Sequence, residues 1–444
     1  MLTRVGIIMG VLGAIFWLGL SPGPAAAEEN GSWSLSQAIE YAQGHNPGVA
    51  VLESQVNEIE QAKNEVFSGF LPQITLQGGY THINNAPSMS LPIGGQTMSF
   101  SLVYQDNYQV QASLSQVLFS SGQLYYGNRA MSEQVKATRL SAEAARLKLS
   151  RGVAEAYLGV LLAQDVLKAR QESLQTAQAH LAQVQHRLEA GTASRFELLR
   201  SQVEVDNLVP TVSEAANTVE LARTSLAQAM GLTGHEDLKL SDSLETTARE
   251  VNGAEYLERA QKERPELLAL AEARQAATDR SLSLRGTMLP SVVAFGSYAY
   301  QKPYVILNDW EKNWTLGVGA KLTLFDGFKN YSSYKGARAK VQTLNNTQAQ
   351  IRDDIYTETK NALLSINEAA TRIRTTSANV TRAQEAVKIA DESYIAGATT
   401  SLEVIDAELA ATNARILHLK ALYDYRLSRV RLFAAVGDRQ EIGR

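Results

Sequence analysis

The sequence predicts a mainly α protein with a membrane β part: long α-helical coiled-coil hairpins plus four β-strands per chain. Three observations predict it. The chain is written twice. Each copy holds a proline-free zone far longer than a globular helix, and each copy holds a pair of alternating strands with aromatic residues near their ends.

The duplication shows in fixed spacings. Leu71-Pro72 returns as Leu289-Pro290, Asn46-Pro47 as Arg264-Pro265, and Gly78 and Tyr80 as Gly296 and Tyr298, each 218 residues on. Further along the spacing is 206: Leu118-Phe119 with Leu324-Phe325, Gly191 with Gly397, Glu197 with Glu403, and Gly231 with Gly437. One insertion of about a dozen residues between Tyr80 and Leu118 accounts for the change. A period of roughly 200 residues lies well above that of solenoid repeats.

The N-terminus reads as a signal peptide over residues 1–27. Arg4 gives the positive start, residues 5–20 are apolar, and Ala25-Ala26-Ala27 supplies the small-residue cleavage site. The first copy then covers residues 28–234, a polar, acidic connector 235–253, and the second copy 254–444. Cysteine is absent, which excludes lipid attachment through cysteine, thiol chemistry and disulfides. A net charge of −4 gives no nucleic-acid footprint. Beyond the signal no apolar run is long enough for a spanning helix, whereas alternating membrane strands give weak hydropathy and stay open.

The helices follow from proline and heptads. No proline falls between Pro92 and Pro210 or after Pro303. The zones at 127–189 and 331–396 predict helices of roughly 90 Å. In the first, Val153, Val160, Leu167, Leu174, Leu181 and Leu188 recur every seven residues; in the second, Ile366, Ile373, Val380, Val387 and Tyr394 do so. Their companion positions are mostly alanine (Ala156, Ala163, Ala177; Ala362, Ala369, Ala383, Ala390), a seam that lets helices approach closely. The seam breaks at Arg170 and at Thr376, the same place in both copies. Gly191 and Gly397 end these helices and Ser or Thr caps the next, which gives hairpins whose return helices cover about 194–230 and 400–436. Pro210 predicts a kink or break near Leu208.

The strands follow from alternation. Ile74, Leu76 and Tyr80 alternate with polar residues, as do Tyr108, Val110, Ala112 and Leu114. In the second copy Val292, Ala294, Tyr298 and Tyr300 alternate, and then Trp314, Leu316, Val318, Ala320, Leu322 and Leu324. Lengths near ten residues and aromatic ends (Tyr80, Tyr108, Phe119, Tyr298, Tyr300, Trp310, Trp314, Phe325) suit a membrane barrel better than a soluble sandwich. Four strands cannot close a barrel, and a bilayer does not tolerate open edges. Several chains must therefore contribute. Two would give eight strands and a filled interior, three would give twelve and a channel, and the polar inner faces suit a wet lumen. The segments at 84–107 and 301–313 read as extracellular loops.

The order helix, strand pair, long helical hairpin, twice over behind a signal peptide, resembles the TolC-type outer-membrane efflux proteins along essentially the whole mature chain. The most specific stretch is Tyr394-Ile395-Ala396-Gly397-Ala398-Thr399-Thr400-Ser401-Leu402-Glu403-Val404-Ile405-Asp406-Ala407, similar to the family's second periplasmic turn. The resemblance implies a homotrimer whose 12-stranded β-barrel, set in outer-membrane lipid, continues as a periplasmic α-barrel. It implies the exit duct of a tripartite efflux or type I secretion system. The partners would be a periplasmic adaptor (membrane fusion protein) and an inner-membrane transporter of the RND or ABC type. Glu403 and Asp406 match the channel entrance, Glu197 and Tyr394 its latch, and Gly191 and Gly397 the turns where the adaptor docks. The basic member of the latch has no match, because Thr399 stands in its place; Arg195 or Arg200 are the substitutes at hand.

The alternative is a soluble periplasmic coiled-coil scaffold or adaptor, which accounts for the heptads but not for the aromatic-rimmed strands. An enzyme is not expected. His45, His82, His180, His186, His235 and His418 are scattered without zinc-helix spacing, and no phosphate loop or nucleophile elbow occurs. No cofactor or metal is expected.

Overall fold

Helix α1 (Leu35–His45) begins at Ser34, whose side chain and Gln37 cap one another reciprocally. Helix α2 (Pro47–Ser68) starts on Pro47 and is capped by the Asn46 side chain, since proline's missing N–H costs nothing at a helix start. Then come β1 (Gln73–His82), β2 (Ser88–Ile93), β3 (Gln96–Ser101), β4 (Asp106–Phe119), α3 (Gln123–Glu189) and α4 (Arg195–Met230). The second half repeats the order with α5 (Ala254–Glu263), α6 (Pro265–Gly286), β5 (Ser291–Lys302), β6 (Glu311–Lys321), α7 (Lys329–Ile395) and α8 (Ser401–Val436), closed by a turn of helix, α9 (Arg439–Ile442). The computed structural model describes residues 32–443 except 95, 102, 233–237, 250, 252 and 306, so the expected signal peptide lies outside the described residues.

Matching elements have matching lengths. α2 and α6 are 22 residues each, α3 and α7 are 67, and α4 and α8 are 36. At 1.5 Å per residue the long helices span about 100 Å, slightly more than their proline-free zones predict. Among the heptad positions, Val153, Val160, Ile366 and Ile373, with Ala163, Ala177, Ala362 and Ala369, are buried, while Leu167, Leu174, Leu181, Leu188, Val380 and Val387 are only half-buried. The helix α4 runs through Pro210 without the predicted break. One missing N–H is absorbed within a 36-residue helix, and Thr211 Oγ1 donates to the Leu208 carbonyl at 2.7 Å beside it. Among the described residues no helix is long and apolar enough to cross a membrane.

The sheet is antiparallel with order β1-β4-β5-β6. Its register sorts the side chains onto two faces. One row reads Ile74, Leu114, Gly296, Leu316 and the next Leu76, Ala112, Tyr298, Trp314. Between them the opposite face reads Thr75, Ser113, Ser297, Thr315. Ile74 and Leu316 are 76% and 75% exposed, an apolar face that none of the described residues covers. The polar face has one aromatic exception, Phe295. Its ring lies against Gly317, where a Cβ would come within 2.6 Å of it. Leu322 and Leu324, predicted as strand, lie past the end of β6.

Aromatic residues gather at both ends of the sheet. At the loop end Tyr80 and Tyr108 stand 5.0 Å apart, Tyr108 and Trp310 6.0 Å, and Tyr300 and Trp310 4.7 Å. At the helix end Phe325 and Phe328 meet edge to face at 5.5 Å, and Phe119 is exposed. These are the positions of interfacial girdles on a membrane barrel. The segment read as a loop at 84–107 folds mainly into a hairpin of its own, β2 with β3, separate from the four-stranded sheet. The insertion thus forms extra strands without widening the sheet.

The connector is a strap rather than a loose linker. Leu240 bridges Trp33, and Asp242 Oδ2 accepts from the Leu35 N–H at 2.9 Å and the Tyr157 hydroxyl at 3.0 Å. Leu238 and Leu244 are buried in the main core, with Tyr157, Leu158, Leu226, Ile366 and Leu432. This core lies around the middle of the helical part, where α1, α5 and the strap add a second layer.

Candidate functional site

The site is built at the tips of the two helical hairpins, about 100 Å from the sheet. Gly191 (φ 75°) and Gly397 (φ 75°) adopt the left-handed conformation that ends α3 and α7. A Cβ at either would meet nothing within 4 Å. Backbone conformation, not crowding, therefore selects glycine there. Thr192 N–H donates to the Arg187 carbonyl at 2.8 Å, and Ala398 N–H to the Ser393 carbonyl at 2.9 Å, so the two turns close alike. Ser194 then caps α4 through the Glu197 N–H at 3.2 Å.

Three contacts lock one hairpin to the other. Arg187 Nη1 donates to the Tyr394 carbonyl at 2.6 Å, while its guanidinium lies 4.5 Å from the centre of the Tyr394 ring. The ring nitrogen Nε2 of buried His180 lies 2.7 Å from Ser401 Oγ, which is 3.4 Å from Ser201 Oγ. Val184, Tyr394 and Val404 form a small separate core packed by Ala193, Leu198 and Ala390.

Electrostatics follow from this burial. Tyr394 is 3% exposed, and its hydroxyl has no hydrogen-bond partner among the described residues. Burial, then Glu197, pushes its phenol up, with Arg187 opposing. Burial pushes the His180 imidazole below its ordinary value against the pull of Asp391 and Glu197. Farther along α8 from the tip, Glu408 is pushed up to about 7 by burial, then by Asp391 and Glu204.

Of the residues read from the sequence, the structure brings Glu197 and Tyr394 into electrostatic range but not into a hydrogen bond. Glu403 and Asp406 are exposed on the first turns of α8. Arg195 and Arg200 do not hold Tyr394. Arg187 does, and it went unrecognised because it belongs to the other hairpin, 207 residues away. One signal could have found it: Arg187-Leu188 occupies the place of Ser393-Tyr394 in the duplication. His180, Ser201 and Ser401 and the Glu204–Asp391–Glu408 group were also missed. The seam breaks are polar cross-links to α8. Thr376 Oγ1 meets His418 Nδ1 at 3.0 Å, and near Arg170 Glu172 pairs with Arg415 while Thr412 bonds Ser173.

A sheet with one membrane-like face, two open edges and 100 Å hairpins is one stave of a duct that crosses a membrane and continues beyond it. The family of outer membrane efflux proteins matches residues 38–232 and 256–438, one stretch in each half, and the chain belongs to that family. It is 26% identical over 425 residues to outer membrane protein TolC of Vibrio cholerae, covering 92% of this chain and 91% of that one. It is 24% identical over 305 residues to the alkaline protease secretion protein AprF of Pseudomonas aeruginosa, covering 65% and 62%. Its fold is similar to that of the Campylobacter jejuni CmeC outer membrane channel, with a TM-score of 0.78 at 17% identity over 98% and 94% of the chains. The open Neisseria gonorrhoeae MtrE outer membrane channel is similar at a TM-score of 0.74 and 19% identity over 91% and 88%. The chain is an outer-membrane channel protein of the efflux and secretion type.

Proposed function

We propose that three copies close into a 12-stranded barrel and a periplasmic helical tunnel, and that this duct passively conducts what an inner-membrane pump of the RND or ABC type delivers through a periplasmic adaptor. The observation that carries this is the sheet. Its outer face is apolar, its inner face is rich in Gln, Ser, Thr and Gly with Phe295 as the aromatic exception, and both β1 and β6 have open edges. Edges inside a bilayer must be paired, and three sheets of this width leave room for water. On this reading the chain acts as a conduit rather than a catalyst, as the channel proteins to which it is similar are named.

The hairpin tips form the entrance. Glu403 and Asp406 would each occur three times near the axis and favour cations. Glu197, Tyr394 and Arg187 hold the hairpins together in the closed form, and the grooves beside Gly191 and Gly397 receive the adaptor. Light scattering of the detergent-purified protein is expected to give three copies. A monodisperse monomer in mild detergent overturns the barrel.

A further inference from the structure

The inner wall of the sheet is a neutral lattice with one aromatic ring set in it. From the row that ends at Glu311 down to the row that ends at Gly317, every inner position except Glu311 and Phe295 is Gln, Asn, Ser, Thr, Ala or Gly. These polar groups bond one another along the wall. Gln109 Nε2 donates to Gln111 Oε1 at 2.8 Å and Gln111 Nε2 to Ser113 Oγ at 3.3 Å, while Ser297 Oγ lies 2.7 Å from Thr315 Oγ1. Side chains bonded to neighbours on the wall do not reach across the lumen.

Phe295 stands where the duplication breaks. At the spacings that relate the copies, Phe295 opposite Gly317 corresponds to Gln77 opposite Gln111. The first copy sets two amides across from one another; the second sets an aromatic ring across from no side chain. The ring lies in the room so made. A Cβ at 317 would come 2.6 Å from its Cζ and 2.9 Å from its Cε2, and a Cβ at 319 would come 3.6 Å from its Cε1. Gly317 is not among the glycines of positive φ, so the space taken by the ring, not the backbone, selects glycine there. The neighbour on the other side, Ser115, carries a side chain, and the notch exists on the β6 side alone. The ring is wedged only in part, since Phe295 remains 48% exposed.

We infer that Phe295 sets the bore of the barrel, and that Gly317 keeps the bore wide by holding the ring against the wall. This rests on the duct proposed above. In a ring of three, Phe295 occurs three times at one level, about 13 Å above the helix end of the sheet. Seated in their notches, the three rings leave the lumen to water and cargo. A side chain at 317 fills the notch, and with Ser115 on the other side the ring turns toward the lumen. Three apolar rings at one level then form a collar of the kind that narrows a pore and sheds its water. A cross-strand aromatic laid over a glycine also stabilises a sheet, so passage through the barrel, not melting, is the measurement that separates the two roles.

The chain has no cysteine, so one introduced thiol reports alone. Ser291→Cys places it on the same face as Phe295, two rows nearer the helices. A reagent entering from outside the cell passes the level of Phe295 before it reaches this thiol. Intact cells carrying the full-length protein are treated with a small charged maleimide and with maleimides bearing polyethylene glycol chains of increasing length, and the labelling rates are compared. Adding Gly317→Ala should slow the longest chain that labels the parent on the order of tenfold and leave the small reagent unchanged. Adding Phe295→Ala as well should restore the parent's rate. Unslowed labelling in Gly317→Ala, or slowing that persists once the ring is gone, overturns the inference. If Gly317→Ala does not reach the outer membrane, Phe295→Ala alone decides. It should speed the longest chain about threefold, and an unchanged rate overturns the inference. If no reagent reaches the Ser291→Cys thiol while trimers form, the polar face does not line a duct, and the proposed function falls instead.

Discussion

Arg187 ties the hairpins together by two different interactions with one residue, a charge-assisted bond to the Tyr394 carbonyl and a cation–π contact with its ring. Together these are worth about 1–3 kcal/mol in a half-buried site. Arg187→Ala should therefore raise the resting conductance of the purified channel in planar bilayers, whereas Arg195→Ala and Arg200→Ala should leave it unchanged. Lysine at 187 should restore it only in part, since it lacks the planar face that stacks on the ring. His180 adds a pH response whose sign is fixed by its burial. Its folded pKa lies below the unfolded value near 6.5, so the unfolded chain binds more protons in that window. The stability it contributes is complete above about pH 6.5 and is lost as the pH falls toward the folded value. Protonation would also bury a cation beside Ser401, at the positive end of α8, with only Asp391 and Glu197 to oppose it. Conductance should rise on acidification below about pH 6.5, and His180→Gln should flatten that rise. Tyr394 and Glu197 were read from the two turns beside which they stand, and the structure sets them within electrostatic range of one another. Arg187 and His180 were not, because each acts across to the other hairpin and no local spacing reports a partner about 200 residues away.

At the scale of elements, the sequence was most legible where a period or a breaker dictates geometry. Seven-residue spacing placed α3 and α7, two glycines placed their ends, and alternation placed the four strands within a few residues. It was least legible where tertiary packing overrides a local signal. Pro210 sits inside α4, because a long helix held by neighbours tolerates one lost hydrogen bond. The segment read only as a polar, acidic connector carries no periodic signal, yet Leu238, Leu240 and Leu244 pin it against Trp33 and Tyr157. The insertion at 84–107, with Pro92 and two adjacent glycines, reads as a loop. Its two proline- and glycine-bounded stretches instead pair with each other, which is possible because Pro92 needs no partner on one side of a two-stranded ribbon. That hairpin lies at the end of the sheet opposite the tips. A tag inserted after Gly94, in its turn, should be labelled on intact cells, and labelling only after the outer membrane is permeabilised would reverse the orientation.

At the scale of the whole molecule, two sets of acids sit at different depths near the entrance and should behave differently. Glu403 and Asp406 are exposed on α8 and, in a ring of three, would surround the axis. Glu204, Asp391 and Glu408 lie between helices α4, α7 and α8, where burial and mutual repulsion push Glu408 up to about 7. The outer set should set ion preference. Glu403→Ala with Asp406→Ala should weaken cation selectivity and block by multivalent cations, with little change in thermal stability. The inner set should govern how tightly the helices pack. Because the Glu408 pKa is raised, its folded form binds a proton more readily than the unfolded chain. Its stabilising contribution is therefore complete below its unfolded value, in the ordinary carboxylate range, and is lost as the pH rises through about 7. Glu408→Gln, which keeps the neutral shape, should raise the melting temperature at pH 8 more than at pH 5.5 and leave ion selectivity as it was. The measurements are reversal potentials in a salt gradient and thermal melts at the two pH values. Selectivity lost in Glu408→Gln, or kept in the Glu403 and Asp406 double variant, would exchange the two roles and place the narrowest point of the duct deeper among the helices.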